Sequence, residues 1–318
     1  MMATIPFNDS ASGIFDPPPS YDAIYMPVST NSIQCKRSVF SFLQSKQKCR
    51  RALVLSRIHA IVSSPDFTPS SVAQIVKSCA AALPAAEFSN LLQKPNIEDH
   101  SALYWAIVNN QRETLLEFTK FILKFSPACS SDLRLACMTV NDHDSFMLLN
   151  LGDIVNPKDR SLRRMLRCPQ DDIQVYEGDD MDQNRFFVCF VFRMFQKRLR
   201  ITQKFEVEFV ARGRIWALRL YMGEKGKWCI EYCLSGHSLP VHPNAVLQIQ
   251  SNKPPPGSDT PKHLRLVQHT SGILITEESF HHGHITDKEA KSGFLWQFPD
   301  DWPMDDPLEL RLTWSDLL

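Results

Sequence analysis

Beyond about residue 168 the apolar side chains of this chain fall two apart. Phe205, Val207 and Phe209 alternate with Glu206 and Glu208; Trp216, Leu218 and Leu220 alternate with Ala217 and Arg219. Trp228, Ile230, Tyr232 and Leu234 do the same, as do Ala245, Leu247 and Ile249, and finally Leu308, Leu310, Leu312 and Trp314. A two-residue period gives an extended strand one apolar face. Such strands bury that face by stacking two antiparallel sheets, so residues 186–318 are expected to form a β-sandwich. Phe186 to Phe195 is almost wholly apolar and reads as a strand covered on both faces.

Upstream, the spacing is helical. Val39, Phe42, Leu43, Leu53, Val54, Ile58 and Ile61 mark a first helix. Ser70 and Ser71 precede a second, Pro84 and Pro95 bracket a short third, and further short helices run in pairs to about Arg167. Between the two halves, Asp171 to Asp182 holds six acidic residues and no basic one, which reads as an exposed linker or edge. Residues 1–33 lack apolar periodicity and are rich in Pro, Ser, Asn and Asp, as expected of a flexible tail. The fold class expected is therefore α+β and multidomain. A tail (1–33) is followed by a small helical unit (34–167), an acidic linker (168–185) and an antiparallel β-sandwich (186–318). A length of 318 residues suits two compact units better than one.

Composition excludes several functions. The chain carries 35 basic and 35 acidic residues, so no chain-wide charge favours nucleic acid or anionic lipid. The local run Lys36, Arg37, Lys46, Lys48, Arg50, Arg51, Arg57 reads most simply as the solvated face of the first helix. The basic cluster Arg193, Lys197, Arg198, Arg200 and Lys204 reads as a hairpin turn flanked by core aromatics. Neither a Walker-type loop nor GxGxxG occurs. No apolar run approaches the roughly 18 residues of a membrane span, and Met1 to Val28 does not read as a secretory signal. The nine cysteines are scattered and read as buried thiols of a reducing compartment. The location expected is the cytoplasm, with the nucleus left open.

Catalytic constellations are absent as motifs. There is no Gly-x-Ser-x-Gly elbow and no His-Glu-x-x-His. Gly236-His237-Ser238 reads as a turn. Glu277, Glu278, His281, His282 and His284 form the one metal-like cluster, but its spacing matches no metal site and a surface loop is the simpler reading. No catalytic residue, metal or cofactor is therefore expected.

The strongest functional signal lies in the tail. Pro18-Pro19-Ser20-Tyr21 fits the Pro-Pro-x-Tyr pattern that WW domains read. Consecutive prolines hold the chain in a polyproline II helix before binding, and that helix lays into an aromatic-lined groove. Tyr21 would fill a second pocket, and its phosphorylation would add about two charges and block entry. The competing reading is a chance match in a Pro-rich segment.

Two resemblances add to this. Ile97 to Phe118, with Ser101-Ala-Leu-Tyr-Trp-Ala106 at its centre, resembles an ankyrin repeat, and Ser131 to Met138 partly repeats it, with Ala136 placed where Ala106 stands. An unrelated helical bundle fits the same spacing. Arg214-Ile-Trp216-Ala-Leu218-Arg-Leu220-Tyr221 with Gly226, then Gly293-Phe294-Leu-Trp-Gln-Phe298, resembles the MATH domain of TRAF-type adaptors. That family's Asn-Asp before the last strand is replaced by Asp305-Asp306-Pro307. The resemblance implies a sandwich that binds peptides of a client. The function expected is that of a non-enzymatic adaptor. Its tail would bind a WW-domain protein, such as a ubiquitin ligase, and its folded units an unknown protein client. The rivals are a scaffold whose tail motif is incidental and a metal-dependent enzyme on the sandwich.

Overall fold

The computed structural model describes residues 39–64, 69–152, 157–178, 185–222, 228–235, 238–241, 244–250, 263–269, 292–296 and 307–315. The chain divides into two units, Met1–Lys46 and Gln47–Leu318; the helix Val39–Ser63 begins in the first, and all the other helices and the sheets belong to the second.

The helical part comprises α1 (Val39–Ser63), α2 (Pro69–Ala82), α3 (Ala85–Gln93), α4 (Ala102–Val108), α5 (Arg112–Thr119), α6 (Pro127–Thr139), α7 (His143–Leu148) and α8 (Pro157–Leu166). Local chemistry sets several boundaries. The Ser101, Ser126 and Asp142 side chains accept from the first-turn N–H groups of Tyr104, Cys129 and Ser145 at 3.1, 3.2 and 2.8 Å. These satisfy donors that no helical carbonyl reaches. Pro127 follows Ser126, where a missing N–H costs nothing. Asn110, Asn141 and Asn150 close α4, α6 and α7 in the left-handed region, with φ of 53°, 57° and 51°. Asparagine tolerates that conformation better than bulkier residues. The open carbonyls ending α1 are met from a distance: Gln111 donates to Ile61 and Ser64 at 3.1 and 3.0 Å, and Asn109 to Val62 at 2.6 Å.

The turn after α4 repeats after α6. Gln111 N–H donates to Ala106 O and Asp142 N–H to Cys137 O; Asn110 N–H donates to Ile107 O and Asn141 N–H to Met138 O. Cys137, not Ala136, therefore occupies the place of Ala106. One inserted residue shifts the register, and both residues are wholly buried, so apolar spacing alone does not separate them.

The strands are β1 (Asp172–Glu177), β2 (Phe186–Phe192), β3 (Lys204–Ala211), β4 (Arg214–Met222), β5 (Trp228–Ser235), β6 (Asn244–Gln250), β7 (His263–His269), β8 (Ser292–Trp296) and β9 (Leu308–Ser315). They form two antiparallel sheets, ordered β1-β2-β9-β6-β7 and β3-β4-β5-β8. The class is α+β. The apolar face of each sheet contributes to one shared core, where Trp314 on β9 touches Phe186 of its own sheet and Phe209, Trp216 and Tyr232 of the other. Ring centroids there lie 4.5–6.1 Å apart, the range of favourable aromatic packing. The helices have a second core, and Val210 and Ile215 from the sheets are built into it.

Three expectations need correction. Residues 172–177, assigned to an acidic linker, form edge strand β1, because Ile173 and Val175 turn inward while Asp172, Gln174 and Tyr176 turn out. Phe186 to Phe192 alternates buried with half-buried positions rather than being covered on both faces. The basic cluster 193–204 is not a hairpin turn but helix α9 (Phe195–Thr202), whose Phe195 and Leu199 enter the sheet core and whose Arg198 is 1% exposed. Basic residues at helical spacing fit a turn equally well until a buried partner is known.

Candidate partner-binding surfaces

Pro18, Pro19, Ser20 and Tyr21 lie outside the described residues, as do His281, His282, His284 and the Gly236-His237 pair. Among the described residues no group of three or more His, Cys, Asp or Glu side chains is placed to hold a metal ion. No described helix is long and apolar enough to cross a membrane. The eight described cysteines are free thiols, with Cys49 exposed.

The geometry of the described part centres on the joint between helices and sheets. Helices α6 and α7 lie against β3. Arg134 of α6 forks onto Glu208 of β3 at 2.6 and 2.9 Å, and also donates to Leu151 O and Ser235 Oγ, both at 3.1 Å. Ser235 donates to the same carboxylate. Glu208 is 3% exposed, so this is a desolvated, bidentate pair rather than a surface contact. Gly152 passes directly above it. A Cβ there would sit 3.3 Å from both Glu208 Cβ and the Phe146 ring, so a side chain would fit only if these neighbours gave by a few tenths of an ångström.

The loop Asn141-Asp142-His143 grips the edge strands of both sheets. Asn141 donates to Glu177 of β1 at 2.7 Å and accepts from Gly213 N–H, in the β3–β4 turn, at 3.1 Å. Glu177 also accepts from Arg212 N–H at 3.1 Å. The His143 ring uses both nitrogens: Nε2 faces Ile173 O of β1 at 3.1 Å, and Nδ1 faces Val210 N–H of β3 at 3.4 Å. A carbonyl can only accept and an amide N–H can only donate, so the ring is neutral with its proton on Nε2. Burial pushes its pKa below the ordinary histidine value, more than the Ile173 carbonyl and the neighbouring Asp144 and Asp142 raise it.

A second ionic cluster joins α8, α9 and the residue before β1. All five N–H groups of Arg198 are used. They meet Asp159 at 2.8 and 2.7 Å, Asp171 at 2.6 and 2.8 Å, and Arg193 O at 2.9 Å. The guanidinium lies 4.6 Å from the Phe205 ring centre. Arg163 adds a contact to Asp159 at 3.1 Å, balancing two cations against two carboxylates. Burial works against the charge on Arg198, but hydrogen bonds and charge from Asp159 and Asp171 outweigh it and raise its pKa.

Sequence reasoning missed both ion clusters. Their members lie far apart in the chain and share no local spacing. The alternation on β3 marked Glu206 and Glu208 as a solvent face, whereas both are buried. The basic run fares differently along its length: Lys46, Lys48, Arg50 and Arg51 are exposed, and α1 buries Val54, Ile58, Ile61 and Val62 further on. The cavities bordering these clusters measure about 50 Å³, beside Asp159 and Glu208, and about 170 Å³, beside Gln111 and Asp144. Both fall short of the roughly 300–1,000 Å³ of small-molecule sites. No protein family, curated protein or solved structure matches this chain.

Proposed function

We propose that this chain is a non-enzymatic interaction adaptor. Its tail holds a WW-domain protein, of the kind found in ubiquitin ligases, through Pro18, Pro19, Ser20 and Tyr21. Its helices and sheets hold a protein client. The observation that carries the reading is the Pro-Pro-x-Tyr motif in a segment without apolar periodicity. Holding two partners on one chain raises the effective concentration of each for the other and asks no chemistry of the adaptor. The cytoplasm is the place proposed for it.

At the level of fold, we read the helical part as ankyrin-like and the sheets as a MATH-like sandwich. The recurring turn bonds at Ala106–Gln111 and Cys137–Asp142 support the first reading. The shared aromatic core of the two sheets supports a sandwich. The ankyrin and MATH names rest on the residue resemblances alone.

The test is binding of the full chain to a panel of purified WW domains, with Tyr21→Ala as control. Affinities of about 1–100 μM that vanish in the variant are expected for a short motif. Binding indifferent to Tyr21, or none, would make the tail motif incidental.

A further inference from the structure

The outer face of the five-stranded sheet carries a ladder that the described structure leaves without a partner. Register places Tyr176 of β1 opposite Phe187 of β2, and Cys189 of β2 opposite Arg311 of β9. All of them alternate with residues of the core, so they stand on the outer face. The Tyr176 and Phe187 rings stack 4.7 Å apart, 15° from parallel. The Arg311 guanidinium lies 3.8 Å from the centre of the Phe187 ring. Tyr176 remains 43% exposed, while Phe187 and Arg311 are half-buried.

Arg311 is the unusual member. It makes no ion pair among the described residues, and its Nε is shut off from solvent without an acceptor. A guanidinium seated over a ring is held in place, and its planar fork matches a carboxylate. The surroundings narrow the choice of acceptor. Gln174 and Gln248 flank the Cys189–Arg311 row. The adjacent row holds Asp172 and Glu309. A nucleic-acid strand would run a repeated negative charge over those carboxylates, whereas a protein segment can place one acid on Arg311 and a base or amide beside it. Tyr, Phe and Arg are also the side chains that dominate protein–protein contacts.

We propose that this face is a protein-docking surface anchored by Tyr176, Phe187 and Arg311, and that its partner is a protein segment presenting an Asp or Glu carboxylate to Arg311. This deepens the adaptor reading by assigning the client a surface, and rests on that reading only in calling the partner a client.

The test selects displayed random peptides about twelve residues long on the full chain, the length of an extended recognition segment. Enriched sequences are then synthesised with each acid changed to its amide. Peptides enriched in Asp or Glu are expected. Their affinity should fall about tenfold or more when that acid is amidated, and similarly in Arg311→Gln. Tyr176→Ala, at an exposed edge position, should weaken the same peptides while lowering the thermal midpoint by only a few degrees, so the chain stays folded in the assay and binding is separated from folding. Enrichment without acids, binding indifferent to Arg311, or Arg311-dependent binding of a single-stranded oligonucleotide in place of acidic peptides would each overturn the proposal. Tyr21→Ala should leave peptide affinity unchanged, so failure of the WW-ligand reading and failure of this one are told apart.

Discussion

Replacing Arg198 by Met removes the one residue that neutralises two buried carboxylates. Methionine fills much of the same volume and keeps contact with Phe205, so the change isolates the charge and its five hydrogen bonds. Asp159 and Asp171 are 3% and 8% exposed and would be left facing each other, with Arg163 still beside the first and the Arg193 N–H on the second. Breaking a buried pair by deleting one partner costs about 3–5 kcal/mol. In a unit of this size each kcal/mol moves the thermal midpoint about 2–4 °C, so a fall of about 10 °C is expected. Urea unfolding followed by circular dichroism should give a lower midpoint with an unchanged slope. The origin of the loss is checked by adding Asp159→Asn and Asp171→Asn. With the stranded charges gone, the triple variant should regain at least about 2 kcal/mol, since neutral replacement of a buried ion cluster is often well tolerated. A single variant within about 1 kcal/mol of the parent would refute the argument, as would a triple variant no better than the single one.

Acidification should loosen the joint at His143. Its folded pKa lies below the unfolded value, so the native state binds fewer protons; stability is full above about pH 6.5 and declines as pH falls through that value. His143→Gln can keep both the bond to Ile173 and that from Val210, and its stability should fall less steeply between pH 7 and 5; identical slopes would exclude His143 as the source. Among the described cysteines, maleimide should modify exposed Cys49 first. Cys129, pushed up to about 12 by burial and by Asp132, should react only after unfolding. Early labelling of Cys129, read by peptide mass spectrometry, would contradict its packing.

Period-two spacing revealed β3, β4, β5, β6 and β9 because one face of each lies in a core, and that is all such a pattern can report. It could not say what covers the other face. Glu206 and Glu208 are buried, since Arg219 opposite and Lys204 nearby supply the counter-charge of the first and Arg134, distant in sequence, that of the second. Strand β1 was missed because an edge strand needs few apolar residues, and acids mask it. Helix α9 was missed because Arg198, its most deeply buried polar residue, counts as a surface residue in any reading of spacing. The helix pairs were legible through Ser101 and the apolar run after it. The one-residue shift between Ala106 and Cys137 was not, because it resides in backbone bonds. Of the candidate sites, the tail motif is written in adjacent residues. The Tyr176–Phe187–Arg311 ladder assembles three strands and has no signature along the chain.

The place of β9 in its sheet bears on how the protein is made. It is the last described strand in the chain, yet it lies between β2 and β6. During synthesis β2 and β6 emerge with no partner between them, and the backbone edges that β9 pairs stay open until Leu308–Ser315 has left the ribosome. Helices α1–α8 precede every strand in the chain, so they can form first. The nascent chain therefore passes through a stage in which the five-stranded sheet lacks its middle strand and Trp314 is missing from the aromatic core, and demand for chaperones should be concentrated there. A translation pause just before residue 308 would prolong that stage, and one just before residue 168 would not.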